Sequence, residues 1–168
     1  MVESNDVKTS WEIYSTAEPE YERYYFDIDS GGFVLIHREH STTASEIFVA
    51  ESLAKQGKQV KFLSERSELR EKTADAEVDG ELWEFKELRN ATNVRGAVQR
   101  DIRDGKKQAR NIVYHINQHY NILDINEGIR SAVRMDSKRL IGKITLIYNS
   151  CERQTFTREQ LKNGQNFR

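Results

Sequence analysis

The stretch Thr73-Ala74-Asp75-Ala76-Glu77-Val78-Asp79-Gly80-Glu81-Leu82-Trp83-Glu84-Phe85-Lys86 decides how this chain is read. Asp79-Gly80 lies between two alternating runs, the pattern of a two-residue hairpin turn. That turn sets a register in which Val78 faces Glu81, Glu77 faces Leu82, Ala76 faces Trp83 and Asp75 faces Glu84. Side chains alternate along a strand, and paired residues share a face. Ala76, Val78, Trp83 and Phe85 then make an apolar face, and Asp75, Glu84 and Lys86 come out together on the other. Two directly opposed carboxylates have Cβ atoms roughly 5 Å apart and repel each other. A hard divalent cation, Mg²⁺ or Mn²⁺, removes that repulsion by taking their oxygens. A lysine two residues beyond the second carboxylate is placed to hold or polarise a water there. Such a group suits metal-assisted hydrolysis of a phosphodiester. The competing reading is an exposed amphipathic hairpin whose charges are only solvated, since Glu-x-Lys is common in a chain that is 32% charged.

Working outward, 168 residues with 37% hydrophobic content suffice for one domain with a sizeable core. We expect an acidic aromatic N-terminal segment over 1–30, helical or irregular, and a single nuclease-like domain over 31–168. No run of ~20 apolar residues is present, so no membrane span is expected. The polar start Met1-Val2-Glu3-Ser4-Asn5-Asp6 has no signal-peptide core, so a cytoplasmic site of action is expected. Cys151 is the only cysteine, which excludes a disulfide framework or cysteine zinc cluster, and it reads as buried in a strand.

Phe33-Val34-Leu35-Ile36-His37 reads as a buried strand, followed by a helix from about 44 to 56 that Gly57 stops. A strand at 60–63, a charged connection over 64–72 and the two hairpin strands near 74–79 and 81–88 come next. Then the pattern predicts a helix from 94 to about 110, a strand at 111–116, a helix near 124–139, a strand at 144–148 and a last helical turn within 156–161. This is an α/β order.

Net charge is only −1, yet residues 86–110 hold an excess of five positive charges. Arg100, Arg103 and Lys107 there are candidates for a phosphate backbone, although a charge-rich helix face is often merely solvated. On helix 44–56 the apolar residues centre close to Glu46. An acid on a buried face needs a cause. Thr43-Ala44-Ser45-Glu46 fits a capping box, and Glu46 also suits the metal site of Asp75 and Glu84; the two roles are compatible. Gln108, at the edge of the apolar face of the second helix, can orient a water or phosphate or cap a sheet edge. His37 and His40, just after the first strand, suit a phosphate contact or proton carriage.

The Asp75…Glu84-Phe85-Lys86 pattern resembles the active site of the PD-(D/E)xK nuclease superfamily, with Ala74 where the name has proline. The middle of the element order matches its αβββαβ core, a mixed central sheet flanked by helices. More narrowly, several stretches resemble the C-terminal tRNase domains of contact-dependent growth inhibition toxins and related phage and mobile-element domains. These are Gly31–His37, His40, Glu46, Ala50, Leu53-Ala54, Gly57, Val60, Asp75-Ala76, Asp79–Lys86, Lys107-Gln108-Ala109 and Asn111-Ile112-Val113. The resemblance implies Glu46, Asp75, Glu84 and Lys86 as the catalytic set, with Gln108 as an accessory. It also implies a metal-dependent RNase held inactive by a cognate immunity protein, either excised from a longer polypeptide or free-standing. Rival expectations are a DNA endonuclease on the same scaffold and a non-catalytic binding module.

Overall fold

In the computed structural model, which describes residues 4–66 and 73–168, Asp79 and Gly80 both take positive φ, 51° and 83°. A tight I′-type hairpin turn needs this of both central residues. Strand β4 (Ala76–Val78) ends just before the turn and β5 (Glu81–Leu88) begins just after it. The described residues form eight strands and five helices, an α/β protein as expected. The chain divides into two compact units, Met1–Leu82 and Trp83–Arg168.

In the first unit, α1 (Ser4–Ser15) and β1 (Tyr21–Phe26) account for most of the acidic aromatic segment. β1 pairs antiparallel with β2 (Phe33–His37). A parallel pair needs a crossover, and α2 (Ala44–Lys55) supplies it between β2 and β3 (Gln59–Phe62). β3 then pairs antiparallel with β4. The register puts Val34, Val60 and Val78 in one row, and Ile36, Phe62 and Ala76 in the next. All six are buried. On the opposite face, Phe33 and Leu35 pack with Tyr14 of α1. Gly32 lets the end of α2 sit directly on the strand start: a Cβ there would lie 1.7 Å from the Ala54 carbonyl oxygen.

In the second unit, β5, β6 (Asn111–Ile116) and β7 (Lys143–Tyr148) run parallel, and β8 (Arg153–Thr157) closes antiparallel on β7. Helices α3 (Val94–Gly105) and α4 (Ile122–Arg134) bury one core with Leu88, Ile112, Tyr114 and Ile144. They cross closely at Gly128, where a Cβ would stand 2.7 Å from the Arg95 carbonyl oxygen. Helix α5 (Arg158–Lys162) ends the fold.

Several expectations need correction. α3 stops at Gly105 rather than near 110, so Gln108 lies in the turn after it. α4 runs from 122 to 134 rather than 124 to 139, because the Asp136 carboxylate takes the Leu140 and Ile141 amides into a turn. Strands β1 and β8 had no clear period-2 pattern and were not expected. Cys151 is not a buried strand residue: it is exposed, in a turn, with φ of 71°. Of the 64–72 connection, 67–72 lie outside the described residues.

Candidate metal centre

Thr43 caps α2, and its Oγ accepts the Glu46 amide at 3.1 Å. Glu46 Oε1 answers by accepting the Thr43 amide at 3.0 Å, closing the capping box. This leaves Oε2, which lies 2.9 Å from His40 Nε2. One carboxylate therefore ends the helix with one oxygen and faces a histidine with the other.

His40 is only 8% exposed, and its ring lies against Phe62. Its Nδ1 is 2.8 Å from the Leu63 carbonyl oxygen. A carbonyl only accepts, so Nδ1 carries a proton. The Leu63 amide also donates to the Asp75 carbonyl at 2.9 Å. Leu63 thus holds the histidine ring and the Asp75 backbone from one position. Asp75 sits in the bend just before β4, outside the strict alternation of the strand. One ligand atom each from His40, Glu46 and Asp75 lie within 4.8 Å of one another. Glu65 Oε1 adds a further acid 3.8 Å from His40 Nε2.

Burial of His40 opposes its charge. The hydrogen bonds to Glu46 and to Leu63, with the charges of Glu46 and Glu65, outweigh it and raise the imidazole pKa above its ordinary value. Two carboxylates and an imidazole form a donor set that fits a small divalent cation.

The second unit holds Glu84 and Lys86 on one face of β5, two residues apart, as the alternation predicts. Glu84 is 3% exposed, and Lys86 Nζ lies 3.6 Å from its Oε2. In register they stand beside Ile112 and Tyr114 on the helix-covered face. The last residue of α3, Gly105, lies over this face: a Cβ there would stand 3.2 Å from Ile112 Cδ1 and 3.4 Å from Lys86 Cε. Tyr114 donates its hydroxyl to Asp101 and so fastens α3 over this face. Burial, then the Asp101 contact, drives the Tyr114 pKa up.

The remaining candidates fare differently. His37 takes no part in the His40 cluster: its Nδ1 accepts the Glu39 amide and its ring meets Tyr21 edge-on. Gln108 is half-buried, and its backbone N–H donates to the Gly105 carbonyl in the turn after α3. Arg100 and Arg103 are exposed, but each lies beside an adjacent acid, Asp101 at 3.7 Å and Asp104 at 3.4 Å. Arg95 pairs with Glu127. Lys106 is turned inward onto buried Asp136. Lys107 is exposed. The basic segment therefore presents less charge than its composition suggests. Sequence reasoning missed a polar chain in which His115 Nε2 meets Asn149 Oδ1, Asn149 donates to Asn117, and Asn117 donates to Glu87. These residues lie at ends of parallel strands, and no local pattern links them.

Residues 72–152, a little under half of the chain, match the family model described as the contact-dependent growth inhibition CdiA C-terminal domain. The fold is also similar to a chain of the CdiA-CT/CdiI toxin and immunity complex from Burkholderia pseudomallei. That similarity has a TM-score of 0.47 and 16% sequence identity, covering 71% of this chain and 95% of the other. No curated protein matches the chain.

Proposed function

We propose that this chain is a metal-dependent endoribonuclease of the growth-inhibition toxin type, acting on tRNA and restrained by a cognate immunity protein. The observation that carries the reading is the convergence of Glu46 and Asp75 with His40, in a chain whose segment 72–152 matches a CdiA C-terminal domain. That matched segment runs through Asp75, Glu84 and Lys86. Glu84 and Lys86 enter through the sequence pattern that pairs Asp75 with Glu84 and resembles the PD-(D/E)xK site.

In this reading Glu46, Asp75 and Glu84 hold Mg²⁺ or Mn²⁺. The cation, when bound, supplies positive charge to a phosphodiester and lowers the pKa of a water. Lys86 orients that water or the scissile phosphate, and its stem is confined beneath the end of α3. Gln108 is an accessory for the same task. The capping box keeps the Glu46 side chain in one rotamer, which preserves the geometry between turnovers. An immunity protein would be a protein partner that covers the site.

Incubating the purified protein with tRNA, plasmid and single-stranded DNA tests this, with Mg²⁺, Mn²⁺ or EDTA present. We expect tRNA to be cut with either metal and spared with EDTA. Cleavage of DNA alone would replace the substrate with a DNA one. Cleavage of nothing would leave a binding module.

A further inference from the structure

We infer that His40 is a direct ligand of the metal, through Nε2, and that the centre therefore binds first-row transition ions, Mn²⁺ the weakest of them, more tightly than Mg²⁺. The inference rests on the metal-dependent reading but goes beyond its all-carboxylate set. Three observations within the first unit carry it. His40 Nε2, Glu46 Oε2 and an Asp75 oxygen are mutually close enough to share one ion. The ring is buried and held against Phe62, so it does not swing away to solvent. Its other nitrogen donates to the Leu63 carbonyl, which leaves Nε2, facing the carboxylates, as the nitrogen that can give up its proton to an ion. Metal-bound histidines characteristically make this outer hydrogen bond, which also makes the ligating nitrogen more basic.

The chemistry of the donors sets the preference. Mg²⁺ favours oxygen and retains several waters. Imidazole favours later divalent ions, and affinity for such a nitrogen-containing site rises from Mn²⁺ along the first row. One nitrogen beside two carboxylates leaves Mg²⁺ able to bind weakly and Mn²⁺ better placed.

The test uses the full chain with Mn²⁺ alone. Electron spin-echo spectroscopy of the bound ion reads coupling to a directly attached ¹⁴N nucleus, which no carboxylate gives. We expect that coupling in the wild type and its loss in His40→Gln. The same variant should lose about tenfold or more in Mn²⁺ affinity by calorimetry, at least what loss of an outer-shell partner of a metal ligand costs, while Mg²⁺ affinity, which owes little to nitrogen, changes far less. Mn²⁺ binding without nitrogen coupling in the wild type would overturn the inference and leave the carboxylate reading intact. Coupling that persists in folded His40→Gln would assign it to another histidine and equally overturn it. If His40→Gln fails to fold, the wild-type spectrum decides alone, with binding in Glu46→Gln locating the ion. Failure of Mn²⁺ to bind at all would remove the metal-dependent reading itself.

Discussion

Glu46 divides its two oxygens between the fold and the proposed metal site. Its Oε1 completes the α2 cap while Oε2 faces His40, and the two roles come apart by substitution. Glutamine at the third helical position still accepts the cap hydrogen bond, so Glu46→Gln should melt within about 2 °C of the wild type, consistent with a change below 1 kcal/mol. It should bind Mn²⁺ at least about tenfold more weakly. Glu46→Ala should lose the metal and also about 1 kcal/mol of stability. Calorimetric titration beside thermal melts checks both; equal metal affinity in wild type and Glu46→Gln would remove Glu46 from the centre. Lys86 poses a different question, because its ammonium lies 3.6 Å from buried Glu84. In the proposed mechanism Lys86 handles the water or phosphate, and Lys86→Ala should then lower cleavage about 10²-fold or more. Single-turnover rates and a circular dichroism spectrum taken together separate that effect from misfolding.

At the scale of elements, α3 and α5 meet at one charge. Asp136 is fully buried and accepts from the Leu140 and Ile141 amides, from Lys106 at the end of α3 and from Arg158 of α5. Burial alone would raise its pKa, but those donors hold it below the ordinary 3.8. The folded pKa is the lower one, so the stabilisation is present above the unfolded value and is lost as pH falls through the folded value. Melting temperature should therefore carry an Asp136 contribution that begins to fall below about pH 4 and is lost once the pH drops under the folded pKa. Asp136→Asn should lose about 3 kcal/mol near neutrality, because Lys106 and Arg158, whose side chains are only 12% and 11% exposed, stay largely buried without their counter-charge. Its remaining stability should decline less steeply in acid, as urea melts from pH 7 to pH 3 would show. The outer face of α3 carries the second prediction at this scale. Arg100 and Arg103 already lie beside acids, so replacing Arg100, Arg103 and Lys107 together should reduce the log–log salt slope of tRNA binding by no more than about three units. An unchanged slope would make this face purely solvated and send the nucleic acid elsewhere.

For the whole molecule, net charge is −1 and the first 31 residues are acidic. A general scavenger of nucleic acid draws its affinity from broad phosphate neutralisation, and this chain offers little of it. Selective cutting of a folded RNA at one or a few positions is the expected outcome, recognised by shape and by splayed loop bases. Mapping RNA 5′ ends in cells that express the protein would reveal it as discrete cuts within tRNA. A smear across all RNAs, or damage limited to DNA, would contradict the tRNA assignment.

Local chemistry made much of this legible from the chain alone. Asp79-Gly80 fixed the turn because few residue pairs accept two positive φ angles. Thr43-x-x-Glu46 fixed the start of α2 because cap and helix lie three residues apart. Alternation put Glu84 and Lys86 on one face of β5. The sequence did not show that α3 stops at Gly105, since Lys106 is drawn to Asp136, thirty residues on. Nor did it show β1 and β8, whose strand character comes from pairing with β2 and β7 rather than from their own pattern. The position of His40 is the clearest case. Its nearness to Glu46 follows from the cap loop, but its tautomer depends on the carbonyl of Leu63, and its approach to Asp75 depends on the pairing that continues from β3 and β4. Residue type and short spacing are written in the chain, whereas contacts across strands exist only once backbone hydrogen bonds have set the register.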